Sequence, residues 1–523
     1  MTRDGRRTTA HRSLLVPLLA MALLLVGGRA RAASAACLPL PTPLPPGQAD
    51  QRFWGPELIA EVAARGPAPD FGTSQQGRRS VAPLSAAEIV DPAPLRAALE
   101  WMLGGPFRDT CAPLNPLLKQ DPGLTAAQMQ AAHVTQTGAG FFASPVAEEL
   151  GYAPPASPPE TDIQVFAIEF DGIVGERSYA YLLVPRGATN APRELAIARH
   201  QTLAECASRE QIGACVPGEG IAPAYGLGVE LARRGYIVLA GPDMPGYGRM
   251  RAYPDGNDTA LEYDTVAMRE IRRFFPDMSV LLAEQLRTRR AIDAVLALQA
   301  AGDYVVSNPT RLVMSGHSKG AYGALLYAAL DPDVATVIAS AGPLSVSWRD
   351  DDVGVDEPYA INGRTGFAGR WCGWGYMPNV CRFAEPGELP LDVPGLVRLG
   401  LGPGRSLLLT AIEDDLLPYR KRWSAVARSG RLAVRTAAKS GGHVSYEIVA
   451  SGFRDRDAAR ACGLTTRIPM DQPILQAVRH CQLASGLAYP HGIYFGPLNR
   501  FFAAIEQGDL PVGGRVIRTD GAP

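Results

Sequence analysis

Arg311-Leu312-Val313-Met314-Ser315-Gly316-His317-Ser318-Lys319-Gly320-Ala321-Tyr322-Gly323-Ala324 is the stretch that decides the fold. It reads as a short buried strand, a sharp turn with Ser318 at its tip, and a helix rich in Ala, Gly and Leu. A serine on so tight a turn brings the residues two before and two after it into close approach. Gly316 and Gly320 are the residue type that avoids Cβ clashes there. The turn exposes the Ser318 hydroxyl. It also aims the Lys319 backbone N–H at the place a carbonyl oxygen would take, at a helix N-terminus that favours negative charge. Gly-x-Ser-x-Gly alone is a weak signal in a chain with 55 glycines. An ordinary strand-to-helix turn is the alternative, so the surrounding pattern has to decide.

Upstream, Asp162 to Phe170 and Tyr179 to Pro185 read as an antiparallel pair of strands. A short strand, Leu195 to Arg199, ends at His200-Gln201-Thr202. A helix at 224–234 leads to a strand at 236–240 and the glycine-rich loop Gly241-Pro242-Asp243-Met244-Pro245-Gly246-Tyr247-Gly248. A helical region over 261–300, broken near Pro276, carries Arg289, Arg290 and Asp293 on its polar face. Downstream, strands are expected at 334–339, 405–411 and 432–436. This alternation implies right-handed crossovers and a mainly parallel sheet with helices on both faces. An insertion at about 343–393 holds Trp348, Trp371, Trp374, Tyr376, Cys372 and Cys381, where a lid or substrate wall would sit.

Serine is a poor nucleophile at neutral pH and needs a base within hydrogen-bond reach and a group that orients that base. Glu413-Asp414-Asp415-Leu416-Leu417-Pro418 follows one expected strand and puts carboxylates at the carboxyl edge of the sheet, where sites in open α/β sheets form. Ser440-Gly441-Gly442-His443 follows the next. Of His443, His480 and His491 downstream of the acidic turn, only His443 is expected to leave a strand through a glycine pair. The second oxyanion donor is expected from the loop after Arg199, as the backbone N–H of Thr202 or Gln201, with His200 orienting that loop. His317, beside the nucleophile, is read as structural.

The chain resembles the α/β-hydrolase superfamily, and within it the dienelactone-hydrolase-like and acetyl-xylan-esterase-like esterases. The residues that carry this are His200-Gln201-Thr202, Glu230 to Ala240, Pro245-Gly246-Tyr247-Gly248, Gly316 to Gly320, the acid turn and Gly442-His443. The likeness spans roughly 162–450. It departs from the pattern in having His-Gln for the usual His-Gly and Gly-Pro-Asp-Met after Leu239. It implies an α/β-hydrolase fold with a serine, acid, histidine order: Ser318, Asp414 and His443. Asp414 stands four before Pro418, as the functional aspartate of that turn does in these hydrolases. Asp415 ranks second and Glu413 third.

With 523 residues the chain can bury a sizeable core, and a formal net charge of −1 leaves no electrostatic footprint for nucleic acid. Arg3, Arg6, Arg7 and Arg12 precede an apolar run, Leu14 to Val26, too short to span a bilayer comfortably, and small residues follow. A signal peptide over 1–35 is expected, cut between Ala33 and Ala36, with no stable membrane span after processing. The distance of Cys37 from the apolar run argues against a lipid anchor there. Eight cysteines, all in the expected mature part, fit disulfides in an oxidising compartment. Spacing groups Cys206 with Cys215, Cys372 with Cys381 and Cys462 with Cys481, which leaves Cys37 and Cys111, though eight cysteines allow 105 pairings. No Cys-x-x-Cys spacing suggests zinc, so no metal or other cofactor is expected. Residues 36–160 read as a mostly helical extension, with helical patterns near 56–64, 86–103 and 125–134. His133 is read as a surface or packed residue. The hydrolase domain would run over 161–510, with a disulfide-closed insertion at about 444–495.

The expected function is an exported serine esterase acting on a small-molecule or carbohydrate ester, with His200, Trp371, Trp374 and Tyr376 as candidate pocket residues. A peptidase of prolyl-oligopeptidase type shares the triad order, but the region before Thr161 is too short for a propeller. A secreted binding protein on the same fold is the third reading.

Overall fold

A computed structural model describes residues 37–45, 91–120, 163–185, 191–200, 227–250, 265–299, 304–340, 393–412, 423–449, 495–510 and 514–519, with a few isolated positions between them. Two compact units are distinguished, Met1–Cys37 and Leu38–Pro523, and every element below belongs to the second.

The organising element is a sheet of ten strands among the described residues: β1 (Leu117–Gln120), β2 (Ile163–Asp171), β3 (Arg177–Pro185), β4 (Leu195–Arg199), β5 (Ile237–Ala240), β6 (Leu312–His317), β7 (Val334–Ser340), β8 (Ser406–Ile412), β9 (His443–Val449) and β10 (Arg515–Thr519). Their spatial order is β1-β2-β3-β5-β4-β6-β7-β8-β9-β10. The pairs from β1 to β5 are antiparallel, and every pair from β5 to β10 is parallel. This mostly parallel sheet, with antiparallel strands at one edge, has the architecture expected of an α/β-hydrolase fold.

β4, β5 and β6 are buried at every position, as central parallel strands covered on both faces must be. Alternate side chains feed two cores. Ile197, Leu239, Met314 and Leu409 pack with α1 (Ala93–Met102), α3 (Val266–Phe274), α4 (Val280–Leu298), α5 (Lys319–Leu330), α6 (Val393–Gly400) and α7 (Trp423–Ser440). Ala198, Val238, Val313 and Leu408 pack with α2 (Leu227–Arg233) and α8 (Phe495–Gln507). The break expected near Pro276 is present between α3 and α4, and each helix has its own cap. Thr265 accepts from the Met268 amide, and Ser279 accepts from the Leu282 amide. Arg290, expected on a polar face, is buried. It donates to the Asp109 carboxylate and to the carbonyls of Ala112, Pro113 and Asp171.

The strand expected at 432–436 is instead part of α7. Its buried residues are Leu432, Ala433, Thr436 and Ala437, a helical stripe rather than an alternation. Gly441, with φ 73°, ends this helix in the left-handed conformation, and the Gly442 amide returns to the Ala437 carbonyl at 3.2 Å. The strand that was not anticipated, β9, begins immediately afterwards at His443. β1 and β10 also went unanticipated, and α1 and β1 place parts of the 36–160 segment in the main core and sheet. Cys37 and Cys111 are disulfide-bonded. The other six cysteines, and the helical patterns expected near 56–64 and 125–134 with His133, lie almost wholly outside the described residues.

Candidate active site

β4 and β6 are adjacent and parallel, with Arg199 paired to Gly316 at their ends. The chain leaves β4 toward β5 on one side and leaves β6 toward β7 on the other. That reversal is a topological switch point, where connections diverge and open a crevice at the carboxyl edge of an α/β sheet. Ser318 stands there.

Its backbone is held at φ 53°, ψ −119°, outside the regions an L-residue prefers, and the next residue starts α5. The Ser318 amide donates to the Ser340 carbonyl at 3.0 Å, which ties the turn to the end of β7. A Cβ on Gly316 would lie 2.3 Å from the Gly320 carbonyl atoms, and one on Gly320 would lie 2.7 Å from the carbonyl oxygens of Arg199 and His200. Both glycines are therefore required by close backbone approach. The second contact also shows that the loop leaving β4 lies against the first turn of α5, where the helix itself offers no acceptor for its N–H groups.

The imidazole of His200 is 2% exposed. Its Nε2 accepts the Met244 amide at 3.2 Å, and its ring packs on Tyr247 at 5.2 Å between centroids. Nε2 of His200 is thereby occupied as the acceptor of a backbone amide of the loop after β5. Asp243 ties the same loops together, accepting from the amide (3.0 Å) and hydroxyl of Ser208. His317 is buried, with Nδ1 3.2 Å from the Ser340 hydroxyl, in keeping with a structural role.

Below the elbow is a group of buried charges. Lys319 Nζ lies 2.5 Å from Glu284 Oε1 and 4.8 Å from the centre of the Tyr247 ring. Glu284 Oε2 lies 3.5 Å from the Arg199 guanidinium. Burial pushes the Arg199 guanidinium down to about 10, against the opposing effect of the Glu284 charge. Sequence reading passed over Arg199 and Glu284. The available signals were a single arginine ending an otherwise apolar strand and a carboxylate amid the apolar residues of α4.

His443 is not where its assigned role requires. It is the first residue of β9 and pairs with Ser406, which pairs with Thr336, which pairs with Val313. Val313 precedes Ser318 by five residues, so His443 lies roughly 16 Å back along the strand direction, before the offset of three strands is counted. Its Nδ1 donates to the Leu510 carbonyl at 2.7 Å at the amino edge of the sheet. The Gly441-Gly442 pair is a helix end leading into a strand, not a strand end leading into a loop. β8 ends at Ile412, at the same edge as Ser318, and Glu413, Asp414 and Asp415, next in the sequence, lie outside the described residues, as do Gln201, Thr202, Trp371, Trp374, Tyr376, His480 and His491. Among the described residues no group of three or more His, Cys, Asp or Glu could hold a metal ion.

No protein-family model matches the sequence, and no curated protein matches it. Among solved structures the chain is similar to acetyl xylan esterase 1 from Thermoanaerobacterium sp., at 14% identity over 74% of this chain and 92% of that one, with a TM-score of 0.37. It is also similar to a glucuronoyl esterase from Solibacter usitatus, at 13% identity over 81% and 99% with a TM-score of 0.40. A third is the rice cell wall degrading esterase LipA from Xanthomonas oryzae, at 16% identity over 65% and 95% with a TM-score of 0.34.

Proposed function

We propose that the protein is an exported serine hydrolase that cleaves carboxylic esters through an acyl-enzyme intermediate. The observation that carries this reading is Ser318 at positive φ between β6 and α5, at the switch point of the sheet. Ser318 Oγ attacks the ester carbonyl, and the carbonyl oxygen becomes an oxyanion held by the Lys319 N–H and by Gln201 or Thr202 N–H. A histidine base takes the Ser318 proton as the bond forms and gives it to the leaving alcohol as the intermediate collapses, and water, deprotonated by the same base, then cleaves the acyl-enzyme to release the acid and return the proton to Ser318. Asp414, or next to it Asp415 or Glu413, orients the base at the end of β8.

The base is assigned to the connection between β9 and α8, with His491 first and His480 second. β10 runs parallel to β9, and Leu510, which precedes it, meets His443 at the amino edge. α8 therefore runs back from the carboxyl edge, with Phe495 at its start. His491 is four residues before Phe495 in the sequence, and His480 fifteen.

The N-terminal leader pattern and the bonded Cys37 and Cys111 support export. No described helix is long and apolar enough to cross a membrane. The substrate is a small-molecule or carbohydrate ester, with Trp371, Trp374 and Tyr376 offering flat faces for a sugar or aryl group. The test is hydrolysis of p-nitrophenyl acetate by the mature chain. Turnover is expected to fall by ~10⁶ in Ser318→Ala, and an unchanged rate in that variant would refute the reading.

A further inference from the structure

Two segments meet at the elbow, the Lys319 peptide at the start of α5 and the end of β4 at Arg199. Their side chains are joined through one carboxylate. Glu284 is 1% exposed on α4, with Oε1 2.5 Å from Lys319 Nζ and Oε2 3.5 Å from Arg199. Arg199 is held further by Gln285 Oε1 at 2.7 Å and Thr288 Oγ1 at 3.0 Å, and Thr288 in turn donates to the Glu284 carbonyl at 2.8 Å. A Cβ on Gly323 would lie 2.7–2.8 Å from guanidinium atoms of Arg199, so this side chain fills the space that residue leaves open.

The opposite side closes through aromatic contacts. Lys319 Nζ faces the ring of Tyr247, and Tyr247 packs on His200, the residue after Arg199. The result is a closed ring of contacts: Arg199, His200, Tyr247, Lys319, Glu284 and back to Arg199. Arg199 and Glu284 are buried charges with Lys319 mostly covered beside them, and their desolvation is a cost that well-packed apolar residues would avoid, so stability alone does not account for them. What they do is lock the first residue of α5, Lys319, and the last residue of β4, Arg199, to the same helix α4.

We infer that Glu284 is a positioning residue that fixes the Lys319 peptide, one half of the oxyanion hole, against the end of β4. The inference rests on the serine-hydrolase reading of Ser318. Glu284 touches no reacting atom. It acts through Lys319 and Arg199, so its loss should weaken binding of the tetrahedral state and spare binding of the ester.

The experiment compares wild type, Glu284→Gln, Glu284→Asp and Lys319→Met in the full mature chain. Glu284→Gln keeps the volume and removes the charge. The readouts are p-nitrophenyl acetate kinetics, affinity for an alkylboronic acid that forms a tetrahedral adduct with serine, and far-UV circular dichroism. The expected result is a folded Glu284→Gln with unchanged KM, kcat lower by ~10- to ~100-fold, and boronate affinity lower by the same factor as kcat/KM. Glu284→Asp recovers part of the loss. Lys319→Met behaves like Glu284→Gln, and the double variant loses no more than the worse single one, since both break one ring. A folded Glu284→Gln with wild-type kcat, or with reduced kcat and wild-type boronate affinity, overturns the inference. If Glu284→Gln does not fold, Lys319→Met decides by the same readouts. Wild-type protein without Ser318-dependent esterase activity would instead overturn the hydrolase reading, and the inference with it.

Discussion

Gly316 and Gly320 face each other across the Ser318 turn so closely that a Cβ on Gly316 would stand 2.3 Å from the Gly320 carbonyl carbon and oxygen. No rotamer relieves such a contact, because both partners are backbone. Gly316→Ala is expected to destabilise the fold by about 3 kcal/mol through overpacking. Gly320→Ala, whose Cβ meets the Arg199 and His200 carbonyl oxygens at 2.7 Å, should destabilise less and lower kcat by pushing the β4 loop away from α5. Urea midpoints of the two variants check the first statement, and their kinetics check the second. Midpoints equal to wild type would mean that the turn is not as tight as described.

Ser318 pays for its exposure with backbone strain. A residue at φ 53°, ψ −119° costs of order 1–3 kcal/mol, and glycine adopts such angles freely. Ser318→Gly is therefore expected to be more stable than wild type by roughly 1 kcal/mol, once the greater freedom of glycine in the unfolded chain is discounted, and to be inactive. Ser318→Ala should be equally inactive without that gain. Equilibrium urea unfolding of the pair separates strain from hydroxyl chemistry, and equal midpoints for Gly and Ala would contradict a strained turn.

The position of His443 makes a histidine series informative. His443→Ala should keep kcat within a few-fold of wild type while losing the hydrogen bond to Leu510, a stability loss of about 1 kcal/mol. His491→Ala should lose kcat by ~10⁶, as removal of a triad base does. Loss of activity in His480→Ala instead would move the base to the second choice within the same connection. A full loss in His443→Ala would contradict the strand register.

Two tyrosines give the alkaline limb of the stability curve. Burial pushes the Tyr236 phenol up to about 12, and burial also raises that of Tyr446. The folded chain thus keeps protons that the unfolded chain releases near pH ~10. Their contribution is whole below pH ~10 and is lost as the pH rises from there through the raised folded values. Tyr446→Phe should flatten the fall in thermal midpoint between pH 10 and 12, and an unaltered slope would show that other groups control it.

The readable parts of the fold were those with a single period. β2 to β8 are apolar or alternating runs bounded by turn residues, and the elbow joins strand, glycines and helix in one motif. The sequence at 431–449 carried two compatible readings. Val434 and Thr436 favour a strand locally, but the stripe of Leu432, Ala433, Thr436 and Ala437 buries one helical face. Once that segment is helix, Gly441 becomes its cap and His443 moves from the carboxyl edge to the amino edge. One misread element thus displaced the base by the depth of the sheet. Glu284 and Arg199 each stand out locally in the sequence, but their pairing was not legible because it joins residues 85 apart in the chain.

The central claim is that Ser318 is an activated nucleophile, and covalent labelling tests it most directly. Mature protein treated with a fluorophosphonate and digested should carry the phosphonyl adduct on the peptide containing Ser318, with one equivalent bound per chain and none bound in Ser318→Ala. An unlabelled wild-type chain that is correctly folded, or a label on any other serine, would contradict the account.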